Sequence, residues 1–102
     1  MPDLDYRLDG DILMLDGLLS VETVGRYQKI GNDALIKSKL GMSVDLSGAE
    51  IVGSAAIALL IAWQRQARNL GKDLAVINAP QHFLDIASVS GVLDILPFNE
   101  SV

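Results

Sequence analysis

The sequence has no cysteine and a single histidine among its 102 residues. Without thiols there is no disulfide staple and no thiolate zinc site, and most routes to nucleophilic or metal chemistry go with them. Positive charge is scarce too: eight Lys and Arg against thirteen Asp and Glu leave a net charge of −5. That balance suits nucleic acid poorly, because phosphates call for clustered Lys and Arg. Long apolar runs are also missing. The longest, Ala55 to Trp63, is nine residues, about half of what spans a bilayer. Met1-Pro2-Asp3-Leu4-Asp5 is acidic and lacks the basic and apolar regions of a signal peptide. The expected protein is cytoplasmic, and a partner must carry it to any membrane it works at.

What is present is apolar. Half the residues are hydrophobic, and the length suits one domain, residues 1–102, that buries an ordinary core. There is no linker, internal repeat or low-complexity stretch. Leu4 to Leu8 and Ile12 to Leu15 read as short strands around the turn Asp9-Gly10-Asp11. Ser20 is a candidate N-cap for a helix marked by Val24, Tyr27, Ile30 or Gly31, Ala34 and Leu35. That helix should run to about Leu40, with Gly41 as its left-handed cap. Met42 to Leu46 then reads as a strand, and Ser47 to Gly53 as a loop. A second helix is expected from Ser54 to Leu70, stopped by Gly71. Leu74 to Ile77 has the density of a buried strand, Pro80 to Ser90 of a third helix closed by Gly91. Leu93, Ile95, Leu96 and Phe98 form an apolar tail. Strands alternating with helices imply an α/β fold with crossover connections.

The second helix carries the most information. At 100° per residue, Ala56, Leu59, Leu60, Trp63, Ala67 and Leu70 share one broad arc, the expected core face. Ser54, Ala58, Ala62, Arg65 and Asn69 fall opposite, with Ala55 beside them. The first turns of the outer face thus hold only Ser and Ala. Ala is the best helix former, which is one explanation. The other is a smooth docking face, with Ser54 at its rim.

Catalytic readings fail on the residues. Ser54 at a helix start can cap free N–H groups or accept a phosphate, but Gly53-Ser54-Ala55-Ala56 lacks the nucleophile elbow. His82 sits on a different element, in the first turn of the third helix, as a surface residue. Asp45 ends a strand and can order the turn at Ser47, while Glu50 lacks companions for a metal. The acidic group Asp3, Asp5, Asp9, Asp11 and Asp16 surrounds a turn, where solvated charge is ordinary. Arg65, Arg68 and Lys72 line the end of the second helix, where cations suit the dipole. No catalytic residue, metal or cofactor is expected.

The stretch from Val44 to Ala56, Val44-Asp45-Leu46-Ser47 through Gly53-Ser54-Ala55-Ala56, resembles the signature of the STAS domain (sulfate transporter and anti-sigma factor antagonist). Ala67 to Lys72 followed by Leu74 to Asn78, and Ile86 to Leu96, are similar to later parts of that family. The resemblance covers essentially the whole chain. It implies the STAS fold, a mixed sheet of about four to five strands with helices packed mainly on one face. In anti-sigma factor antagonists of the family, a partner kinase phosphorylates the second Ser/Thr of the signature, which here is Ala55. The preceding Asp is Gly53 and the following Gly is Ala56. Among STAS proteins the chain is most similar to the small cytoplasmic subunit of a bacterial phospholipid ABC transporter that maintains outer-membrane lipid asymmetry. That subunit also keeps a hydroxyl only at the position of Ser54. The resemblance implies docking on the ABC transporter ATPase subunit, with Ser54 as a regulatory position and Ser54, Ala55, Ala58, Ala62 and Arg65 as the partner-binding face. It also implies residence at the inner membrane through that complex. The alternative partner is an anti-sigma factor kinase, and a lipid or small-ligand domain is a third reading.

Overall fold

The computed structural model describes residues 5–98, so expectations placed on Asp3 and Leu4 lie outside the described residues. β1 (Tyr6–Asp9) and β2 (Ile12–Leu15) form the expected hairpin, with Gly10 at a φ of 59° in its two-residue turn. β3 (Leu18–Leu19) leads to α1 (Val24–Lys37), then β4 (Gly41–Asp45), β5 (Glu50–Ile51), α2 (Ala55–Leu70), β6 (Asp73–Ile77) and α3 (Gln81–Val89). The main sheet has the order β1-β2-β4-β6, antiparallel at the hairpin and parallel elsewhere. β3 and β5 make a separate two-stranded parallel sheet. This is the α/β architecture that the alternation of elements implies.

Register explains the one-sided core. Leu13, Val44 and Val76 lie side by side across β2, β4 and β6, all buried, and Leu15, Met42 and Leu46 extend the same face. Tyr27 and Leu35 of α1, Leu59, Leu60 and Trp63 of α2, and Phe83 of α3 close over it in one cluster. The other face presents Ile12, Met14, Ser43, Asp45, Ala75 and Ile77, none of them buried. The period of two along each strand thus separates core from surface.

Several local expectations are corrected. α1 begins after Thr23, not at Ser20, because Ser20 spends its groups on the turn before it. Its carbonyl accepts from the Thr23 and Val24 amides, and its own amide donates to Thr23 Oγ1 at 3.0 Å. Gly41 does not cap α1, which ends at Lys37 with Ser38 as C-cap. Gly41 instead opens β4 at a φ of 140°, where an added Cβ would meet the Asp73 carbonyl oxygen. Ser47 to Gly53 is not all loop, since β5 lies within it. In the tail, Leu96 is buried and Phe98 stacks edge-on against Phe83, whereas Leu93 and Ile95 are exposed.

Lys72 has a different task from the one its position suggests. It follows the end of α2, yet its ammonium donates to the carbonyls of Leu35, Ile36 and Ser38 at 2.6, 2.9 and 2.6 Å. It therefore gathers the carbonyls at the end of α1, where Leu35 O also accepts from the Ser38 amide and hydroxyl, and meets the negative pole of that helix. Charge-assisted bonds of this kind contribute about 1.5–3 kcal/mol, so Lys72→Met should cost about 2 kcal/mol in urea unfolding. A loss below about 0.5 kcal/mol would show that the contact is incidental.

Candidate functional site

The start of α2 is shaped by three short segments. The Val52 amide donates to Leu19 O at 3.0 Å, continuing the β3–β5 pairing. Gly53 then takes a left-handed φ of 66°, and Ser54 stands at the N-cap position. α2 stops at Gly71 in the left-handed conformation, as its sequence implies. Its inner arc is as expected for Ala56, Leu59, Leu60, Trp63 and Ala67, which are all buried. Leu70, by contrast, is 37% exposed, and Ile57, outside the expected arc, is buried.

Ser54 does not cap with its side chain. Its φ and ψ of −105° and 8° depart from the extended conformation that aims a cap oxygen at the N2 or N3 amide. Only its carbonyl is engaged, accepting from the Ile57 amide at 3.0 Å. The capping alternative for its hydroxyl is thus not realised, and the residue is exposed. Along the helix from it, Ala58 and Arg65 are exposed while Ala55 and Ala62 are half-buried. All five residues expected of the docking face therefore reach the surface, although the two half-buried alanines sit lower than the rest.

Two apolar residues near this face were not singled out by sequence. Val52 is 52% exposed next to Gly53, and Val21 is 84% exposed just past the end of β3. The bond between Val52 and Leu19 brings their two segments together. The available signal was the pair Leu18-Leu19 matched to Glu50-Ile51, which is too short to show a period. Farther along α2, a depression of about 290 Å³ is lined by Ile61, Gln64, Arg65, Arg68, Val92 and Ile95. Gln64 Nε2 donates to Ile95 O at 3.1 Å and holds the tail against α2 there.

Asp45 orders the turn after β4, as expected. The Ser47 amide donates to its Oδ1 at 2.9 Å. Partial burial raises the carboxyl's pKa, but hydrogen bonds from Ser47 and Asn78, with the positive charge of Arg7, outweigh it and hold the value below the usual 3.8. Asn78 reaches this position with a left-handed φ of 57° at the end of β6. Asp45 thus joins the loops that follow β4 and β6. Because its folded pKa is depressed, its stabilisation is present above the unfolded value and is lost as pH falls through the folded one. In an acid titration followed by NMR, the Ser47 amide resonance should move with a midpoint below 3.8. A midpoint at or above it would mean that the carboxylate bonds do not persist in solution.

Among the described residues no group of three or more His, Asp or Glu is arranged to hold a metal ion. His82 is exposed in the first turn of α3. Among the described residues no helix is long and apolar enough to cross a membrane.

A sheet of this order, with a Ser-initiated helix after its second parallel strand, is the arrangement of a STAS domain. The family model described as MlaB, STAS domain, matches residues 5–97, and the chain belongs to that family. Solved structures agree in fold. A Thermotoga maritima protein described as an anti-sigma factor antagonist superposes with a TM-score of 0.76 at 17% identity, over 97% of this chain and 86% of that one. The anti-sigma factor antagonist SpoIIAA, in its unphosphorylated form, gives 0.75 at 10% identity, over 98% and 89%. A STAS domain protein of Planctomyces limnophilus gives 0.69 at 18% identity, over 99% and 92%. No curated protein matches the chain in sequence. Members of the STAS family are generally non-enzymatic regulatory or interaction domains that work through contacts with other proteins.

Proposed function

We propose that this chain is the non-enzymatic STAS subunit of a bacterial Mla-type phospholipid ABC transporter, which maintains outer-membrane lipid asymmetry. Its partner is an MlaF-like ATPase subunit, and it sits at the cytoplasmic side of the inner membrane through that complex. The observation that carries this reading is the surface at the start of α2. Position 55 has no hydroxyl to phosphorylate, while Ser54, Ala55, Ala58, Ala62 and Arg65 form a low-relief face with Val52 at one end. Small side chains let a partner helix approach closely, and an exposed apolar residue at the rim gives it something to bury. The family description points the same way.

In this role the subunit performs no chemistry. By binding one arrangement of the ATPase more tightly than another it shifts their populations, by no more than the difference in affinity. Ser54 is the regulatory position. Phosphorylation there would place about two negative charges in the contact and break it unless an arginine answers them. A second reading, an anti-sigma factor antagonist that binds a serine-kinase anti-sigma factor, draws on the uncommitted Ser54 hydroxyl. The deciding experiment is purification of the tagged chain from membranes of its own cells, with the co-purifying proteins identified by mass. An ABC ATPase supports the transporter subunit. A serine-kinase anti-sigma factor, with phosphate on Ser54, would replace it with the second reading.

A further inference from the structure

β1 is an edge strand, and among the described residues nothing pairs with its outer side. Its backbone directions follow from the hairpin. The Asp16 amide donates to Asp5 O at 2.9 Å, and Asp9 flanks the two-residue turn opposite Ile12. Hydrogen-bonded pairs alternate along an antiparallel ladder, so residues 5, 7 and 9 bond to β2. Tyr6 and Leu8 therefore turn their N–H and C=O groups outward. Their side chains lie on the helix-covered face, opposite Leu15 and Leu13, yet remain 43% and 51% exposed. The sheet thus ends in unpaired backbone groups beside two uncovered apolar side chains. An edge of this kind is a template for another strand.

Charge selects which strand. Arg7 and Asp9 share the opposite face, two residues apart and of opposite sign. Three antiparallel registers set outward-turned residues of one copy against those of another. Tyr6 against Tyr6 engages only Tyr6 and Arg7 of each strand, setting Arg7 against Asp5, which precedes the strand. Tyr6 against Leu8 would bring Arg7 onto Arg7 of the second copy, a like-charge pair that is destabilising. Leu8 against Leu8 places Arg7 opposite Asp9 twice, once on each side of the axis. It also brings the two exposed leucines together.

We propose that β1 pairs antiparallel with β1 of a second copy of this chain, about a two-fold axis at Leu8, giving one continuous sheet. Of the three registers, this one alone matches opposite charges between residues that all lie in the strand. α2 packs over β6 at the far edge of the sheet, so pairing leaves both docking faces uncovered. The inference is independent of what α2 binds.

The absence of cysteine in the native chain makes the test clean. Sedimentation velocity across a concentration series should show a shift from monomer to twice its mass. Asp9→Arg and Arg7→Asp should each hold the protein at the monomer mass, and the double exchange Arg7→Asp/Asp9→Arg should restore the dimer. Circular dichroism checks that each variant is folded. Asp9→Arg carries the test if Arg7→Asp, which also loses its 3.0 Å pair with Asp16, unfolds. In Leu8→Cys, the paired Cα atoms would be about 5.5 Å apart, within disulfide reach, so oxidation should give a covalent dimer. A wild-type chain that stays monomeric throughout the series overturns the proposal. So does a dimer that persists in Asp9→Arg.

Discussion

Gly31→Ala should destabilise the chain by about 1–3 kcal/mol, although it places a better helix former in the middle of α1. An added Cβ at Gly31 would run into the Trp63 indole at Cε2, Nε1 and Cζ2. Trp63 is completely buried and its indole N–H donates to Gln28 O at 3.0 Å. The ring cannot retreat without giving up that bond or opening the α1–α2 contact. Replacing Gly by Ala gains about 1 kcal/mol of helix propensity, but overpacking a dense core costs about 1–3 kcal/mol and the lost indole bond adds about 1. The clash wins. Thermal unfolding followed by Trp63 fluorescence should show it, with a fall in Tm of roughly 4 °C or more. Trp63→Leu in the same background makes room, so the two changes should be far from additive when followed by circular dichroism. A Gly31→Ala chain as stable as the parent would mean that the helices are not packed this closely.

Ala58→Arg should weaken binding to the ATPase subunit by about 100-fold or more, near 3 kcal/mol, while changing stability by less than about 0.5 kcal/mol. Ala58 is exposed in the middle of the low face, so a long cation there harms only a complex. Ser54→Glu separates folding from docking even better. A carboxylate at a helix N-terminus favours the helix, so the variant should be at least as stable as the parent and still bind less well. Ser54→Ala is the control. With no side-chain cap bond to lose, it should shift stability by well under the usual cost of about 1 kcal/mol for removing a capping side chain. Titration calorimetry with the purified ATPase subunit reads the affinities. Unchanged binding in both Ala58→Arg and Ser54→Glu would move the interface elsewhere.

Much of this was legible because long elements repeat their pattern. α2 could be read from the spacing of Leu59, Leu60, Trp63 and Ala67 and from Gly71, and the hairpin from Asp9-Gly10-Asp11. What could not be read depends on contacts between distant residues. β3 and β5 have only two residues each, too few to carry a period, and exist because Leu19 and Ile51, both buried, lie side by side in a parallel pair. Gly41 looks like a helix cap in sequence, yet its neighbour in space, Asp73, decides its use. Lys72 looks like a countercharge for its own helix, but its long side chain reaches another. At the candidate site the outer face of α2 was readable from spacing. The fate of the Ser54 hydroxyl was not, because it turns on a single ψ angle. Val21 and Val52 went unnoticed since only the β3–β5 pairing brings their segments together.

With the partner seated at the start of α2, a photo-crosslinking residue placed at position 58 should capture it. The same residue at position 89, on α3 and 90% exposed in the native chain, serves as the comparison. In living cells position 58 should crosslink to an ABC transporter ATPase subunit and position 89 should not. Crosslinking to that subunit from position 89 alone, or to a serine-kinase anti-sigma factor from position 58, would contradict the account.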